Sequence, residues 1–162
     1  MEKLTFPYLR TVKNLEQLLE LYRKDERTKL IAKGIEESVK NSDEPKRFLL
    51  QDVKGGLEPF VVAATYHETP VRTGGPACHL FVAIDKEDAA YLQNTLNSLF
   101  EKKTIHFFPD SFKRPQEFKT VENHNVLLRT ETVNKVTNSK ARGEIIITYP
   151  EALFEKAVAP VN

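Results

Sequence analysis

The sequence predicts an α/β fold, a mostly parallel sheet with helices on both faces, preceded by N-terminal helices. Three observations lead there. From Phe48 onward, short apolar runs alternate with helix-like periodicities. The runs are apolar residue after residue, the pattern of strands buried on both faces of a parallel sheet. Residues 1–45 instead carry helical stripes only, which divides the chain into a helical extension at 1–45 and an α/β region at 46–162.

Each element has its own signal. Leu15, Leu18, Leu19 and Tyr22 fall on one helical face, with Asn14 as cap and Gln17 three residues on as a capping-box partner. A second stripe runs through Ile31, Ile35 and Val39 and stops at Asn41-Ser42-Asp43-Glu44-Pro45. The expected strands are Phe48-Leu49-Leu50, His79 to Ile84, Ile105 to Phe108 and Glu144 to Thr148, each short and rich in Val, Ile or Phe. Helices are expected from Leu57 to about His67, from Lys86 to Phe100 and from about Val121 to Val136. The second of these is the plainest, with Asp85 as cap and Ala89, Leu92, Leu96, Leu99 and Phe100 as its buried face. Pro150 suits the first turn of a last helix carrying Leu153, Phe154 and Ala157.

Composition excludes several classes of function. The 162 residues carry 24 Lys and Arg against 23 Asp and Glu, so net charge supplies no general attraction to nucleic acid. A single cysteine, Cys78, forms no internal disulfide, and no Cys/His spacing suggests zinc. No apolar run approaches the roughly 18 residues that cross a bilayer. The first residues, Met1 to Pro7, lack a long apolar signal region, which predicts a cytoplasmic protein without membrane partners.

Ligands of open α/β sheets bind beyond the carboxyl ends of the strands. The first expected strand leads into Gln51-Asp52-Val53-Lys54-Gly55-Gly56-Leu57-Glu58 and then a helix, where a phosphate loop G-x-x-x-x-G-K-[ST] would lie. With Gln51 and Gly56 at the two glycine positions, Leu57 replaces the Lys and Glu58 the Ser or Thr. The phosphate-neutralising charge and the Mg²⁺-holding hydroxyl are both gone, and Glu58 repels phosphate. Gln51, Lys54, Gly55, Gly56, Leu57 and Glu58 thus describe a degenerate loop with no catalytic residue, no metal and no bound cofactor. The simpler alternative is a flexible strand-to-helix turn.

Read in order, the segments resemble the first part of the UvrB-like module that begins bacterial transcription-repair coupling factors. Leu49-Leu50 through Phe60-Val61 is similar to its relic of a Walker A loop. His79-Leu80-Phe81-Val82-Ala83-Ile84-Asp85, running into Ala89-Ala90, resembles its second strand and helix. Ile105-His106-Phe107-Phe108-Pro109-Asp110-Ser111-Phe112, before Arg114-Pro115, resembles its Pro-Tyr-Asp-Ser-Phe segment, and Arg142 to Thr148 matches the closing strand. The likeness covers roughly Phe48 to Pro160 and is carried by order and spacing more than by any one motif. It implies a RecA-like, P-loop-type half-domain cut from a longer protein. That parent would be an ATP- and Mg²⁺-dependent DNA translocase that displaces stalled RNA polymerase and recruits UvrA, its motor and contact sites lying beyond this stretch. The fragment alone is not expected to bind UvrA. A UvrB-type DNA-inserting hairpin is not expected either, since Gln116 to Asn125 is polar and lacks a strand-turn-strand pattern.

The remaining candidates have plainer readings beside them. His67, His79, His106 and His124 are scattered without metal-ligand spacing, and Cys78 suits a small buried filler. Asp110 and Ser111 follow a strand end, where they either line a ligand crevice or hold a turn. Lys113, Arg114 and Lys119 form a basic edge interrupted by Glu117, and Val71 to Pro76 reads as a connection. Two other functions stay open: a small α/β enzyme using Asp52, Gly55, Asp110 and Ser111, and a weak nucleic-acid-binding module using the basic edge.

Overall fold

The computed structural model describes residues 14–41, 43, 45–53, 56–69, 78–100, 105–111, 123–137 and 143–156. The chain falls into two compact units, Met1–Pro70 and Val71–Asn162, a division that does not coincide with the change of sequence pattern at 45/46.

In the first unit Asn14 opens helix α1 (Leu15–Lys24), its side chain accepting the Gln17 N–H at 2.9 Å. Asp25 ends α1 and caps α2 (Glu26–Lys40) by accepting the Arg27 N–H at 2.8 Å. Helix α3 (Leu57–Glu68) buries Pro59, Ala63, Ala64 and Thr65. It is tied to α1 by the Arg23 Nε–H donating to Glu68 Oε1 at 2.9 Å and by stacked rings of Tyr22 and Phe60, 5.6 Å between centroids. The expected α2 stripe is displaced: α2 buries Thr28, Ala32 and Gly34, while Val39 is exposed.

Phe48-Leu49-Leu50 is not a strand, which corrects the sequence expectation. The segment is irregular, all three residues are exposed, and Leu49 reaches 82%. Two contacts divert it onto α2. The Lys46 N–H donates to Ser38 Oγ at 2.8 Å, and the Phe48 ring lies where a Cβ on Gly34 would come within 2.3 Å of Phe48 Cζ. A strand needs a neighbour to satisfy its backbone, and none of the strands observed pairs with this run.

The second unit is built on a three-stranded parallel sheet in the order β1-β3-β2, with β1 at Cys78–Val82, β2 at Ile105–Phe107 and β3 at Glu144–Thr148. Leu80 and His106 flank Ile146 from either side. Helix α4 (Lys86–Leu99) joins β1 to β2, and α5 (Asn123–Thr137) lies between β2 and β3. The two connections cross the sheet in opposite directions, so the right-handed rule places the helices on opposite faces. Asp85 caps α4 as expected, accepting the Asp88 N–H at 2.8 Å; Ala89, Leu92 and Leu96 are buried, while Leu99 and the C-cap Phe100, expected with them, are only half-buried. Helix α6 (Pro150–Phe154) follows, with Pro150 in its first turn.

Position in the sheet decides which strands are buried on both faces. In the central strand Ile145, Ile146 and Ile147 are all buried. Edge strand β1 instead leaves Leu80 and Val82 more than 50% exposed on one face, and Ile84 lies outside it. In α6 only Ala152 is buried; Leu153 and Phe154 are exposed, and Ala157 lies outside the described residues.

Candidate functional site

The expected phosphate-loop segment does not follow a strand: among the described residues before it there are only helices α1 and α2 and the irregular Phe48-Leu49-Leu50 run. Gln51, Gly56, Leu57 and Glu58 are exposed, and Lys54 and Gly55 lie outside the described residues. Asp52 has φ 60°, a left-handed conformation that Asp tolerates better than most residues. Gly56 is the N-cap of α3 at φ −71°, and a Cβ there would meet nothing within 4 Å. Neither its backbone angle nor any close approach requires a glycine. Glu58 occupies the first turn of α3, where its charge complements the helix dipole and opposes an incoming anion.

Polar side chains gather instead at the carboxyl ends of β2 and β3. Strand β2 exits through Phe108-Pro109-Asp110-Ser111, and β3 exits through Tyr149 into α6. The Tyr149 hydroxyl donates to Asp110 Oδ1 at 2.6 Å and accepts the Asp110 N–H at 2.9 Å. Burial, reinforced by the Asp110 bond, pushes this phenol well above the ordinary tyrosine range. Tyr149 is therefore a fixed neutral donor and no base. Lys86 Nζ stands 3.6 Å from the same Asp110 oxygen.

Ser111 is held by one residue. Its N–H donates to Glu155 Oε2 at 2.8 Å, and its hydroxyl bonds Glu155 Oε1. Arg129, buried on α5, donates from Nη1 to the carbonyls of Pro109 at 2.7 Å and Ala152 at 3.0 Å. Its Nη2 reaches the Glu155 carbonyl at 3.2 Å, and the guanidinium lies 4.1 Å above the Phe108 ring. Asn125 Nδ2 donates to the Asp110 carbonyl at 2.8 Å. Thr148 Oγ1 donates to the Phe108 carbonyl at 2.8 Å. The sequence placed Asp110 and Ser111 at a strand end, and the structure gives both a turn-holding role. Sequence reasoning missed Arg129, Tyr149, Asn125 and Glu155, whose partners lie 15 to 44 residues away along the chain.

A second pair lies towards the amino ends of the strands. His106 Nε2 and Glu144 Oε2 are 2.6 Å apart, both side chains largely shielded. Of the other histidines, His79 lies in β1, where burial lowers its pKa; His67 and His124 are on helix surfaces. Cys78 starts β1, and burial pushes its thiol up, away from nucleophilic thiolate. Lys113, Arg114, Glu117, Lys119 and the 71–76 connection lie outside the described residues. Among the described residues no group of three His, Cys, Asp or Glu side chains is placed to hold a metal ion, and no helix is long and apolar enough to cross a membrane.

Comparison of the chain with family models, with curated proteins and with solved structures finds no match in any of the three.

Proposed function

We propose that this chain is a non-catalytic scaffold module of the kind that begins bacterial transcription-repair coupling factors. One observation carries the reading. At the carboxyl ends of the strands, where an α/β protein exposes its reactive side chains, the polar groups of the second unit bond one another and the backbone. Arg129 is committed to three carbonyls, Ser111 to Glu155 and Tyr149 to Asp110. Such a network holds loops in place. A catalytic site would aim these groups at a substrate position.

The family assignment rests on the order of segments within 78–156, with no support from the 51–58 loop. In that assignment the module belongs to an ATP-dependent DNA translocase that meets RNA polymerase and UvrA through its other parts, and any RecA-like, P-loop ancestry survives only in the α/β unit. An immunoblot of the source cells tests it. The native polypeptide should be several times larger than 18.6 kDa and contain an intact G-x-x-x-x-G-K-[ST] motor sequence after this region. A native product of 18.6 kDa would end the assignment and leave a stand-alone α/β protein.

A further inference from the structure

Strand β2 turns half of its backbone away from the sheet. The Phe108 N–H donates to the Ile147 carbonyl at 2.8 Å, so in a parallel ladder Phe108 and His106 face β3. The N–H and C=O groups of Ile105 and Phe107 consequently point outward. A cavity of about 250 Å³ lies there, lined by Ile105, His106 and Phe107 together with Gln93 of α4 and Leu128 and Glu131 of α5. Three consecutive residues can line one cavity along the edge of a strand; the face of a strand presents every second residue. The space is therefore a slot at the sheet edge, walled by the two helices.

We infer that this slot receives an extended strand from a partner polypeptide, bearing a basic side chain opposite Glu131. The outward groups of Ile105 and Phe107 repeat at two-residue spacing, which an extended backbone matches group for group. Ile105, Phe107 and Leu128 supply apolar walls for alternate side chains of the incoming strand. The charge is also specified. His106 is engaged with Glu144 at 2.6 Å, which leaves the exposed Glu131 as the lining charge that has no ion-pair partner among the described residues. Because β2 spans three residues, the contact is short and exchanges readily.

A capped peptide alternating Val and Thr around one central Lys, titrated into the full chain and followed by amide NMR, tests this. The Ile105 and Phe107 amides should shift and become protected from exchange, with smaller changes at the inward-facing His106 and Phe108. The same peptide N-methylated on its pairing edge should bind about tenfold more weakly, the loss of one or two net hydrogen bonds. Glu131→Lys should weaken the Lys peptide and strengthen a Glu version. Unchanged exchange at Ile105 and Phe107 under saturating peptide would overturn the proposal, as would equal binding of the N-methylated form. Concentration-dependent protection of both amides without peptide would also overturn it, assigning the edge to a second copy of this chain.

Discussion

The Arg129 guanidinium, buried above the Phe108 ring, bonds two carbonyls of the α6 region and one at the exit of β2. Arg129→Met retains much of the apolar packing but strands those carbonyls and the nearby Glu155 carboxylate. It should cost about 3–5 kcal/mol in denaturant melts, the usual penalty for breaking a buried charged network from one side. A loss under about 1 kcal/mol would mean that water satisfies the carbonyls equally well. Tyr149 makes a pH-dependent contribution. Its phenol is raised above the ordinary 10.0 by burial and by Asp110, so the unfolded chain releases this proton at lower pH than the folded one. The contribution is whole below pH 10.0 and is lost as pH rises from there through the folded value. Urea melts across this alkaline range should show stability falling, with a shallower fall in Tyr149→Phe. Equal slopes in the two proteins would remove Tyr149 as the cause.

At the level of elements, α4 was legible because cap and stripe agree: Asp85 precedes Ala89, Leu92 and Leu96, and all three are buried. Leu96 is fully buried, so Leu96→Ala should cost about 2–5 kcal/mol. Phe154 is 89% exposed, and Phe154→Ala should change stability by less than about 0.5 kcal/mol. Similar losses at both positions would mean that the α6 surface is covered. Helix α5 was located to within a few residues, but its buried side was not legible, since the residues it turns inward are Asn125, Arg129 and Thr132. Apolar periodicity has no purchase on such a helix. Phe48-Leu49-Leu50 misleads in the other direction, because an apolar run satisfies the strand pattern without a neighbour to pair with. Gly34 records where that run goes: a Cβ there meets only the far end of the exposed Phe48 ring, which can swing aside, so Gly34→Ala should change stability by less than about 1 kcal/mol, its helix-propensity gain offsetting the displaced ring contact.

For the whole molecule, the consequence concerns ligands and partners. With Leu57 and Glu58 in place of Lys and Ser or Thr, and no strand before the loop among the described residues, ATP should bind no tighter than about millimolar with or without Mg²⁺. Saturation of a fluorescent ATP analogue at micromolar concentration would contradict this. Under the scaffold reading, calorimetry with UvrA should show no heat beyond dilution for this chain alone. A stable interface centres on aromatic and Arg anchors; Phe108, Tyr149 and Arg129 are engaged inside the second unit, so among its described residues such a contact would have to use exposed positions such as Tyr91 and Phe154. A saturable signal with UvrA would place a contact on this chain and displace the scaffold role.

Local matters were legible in the sequence: helices capped by Asn14 and Asp85, the three-isoleucine strand and Pro150 opening the last helix. These follow from a residue and its near neighbours. Tertiary structure decided everything that depends on a distant partner. It left Phe48-Leu49-Leu50 outside the sheet and put β3 at its centre, so that Ile145 to Ile147 are buried while Leu80 and Val82 are not. It also joined Arg129, Tyr149, Ser111 and Glu155 into one network. Burying a polar group depends on where its hydrogen-bond partner lies in space, and that distance is absent from the spacing of residues along the chain.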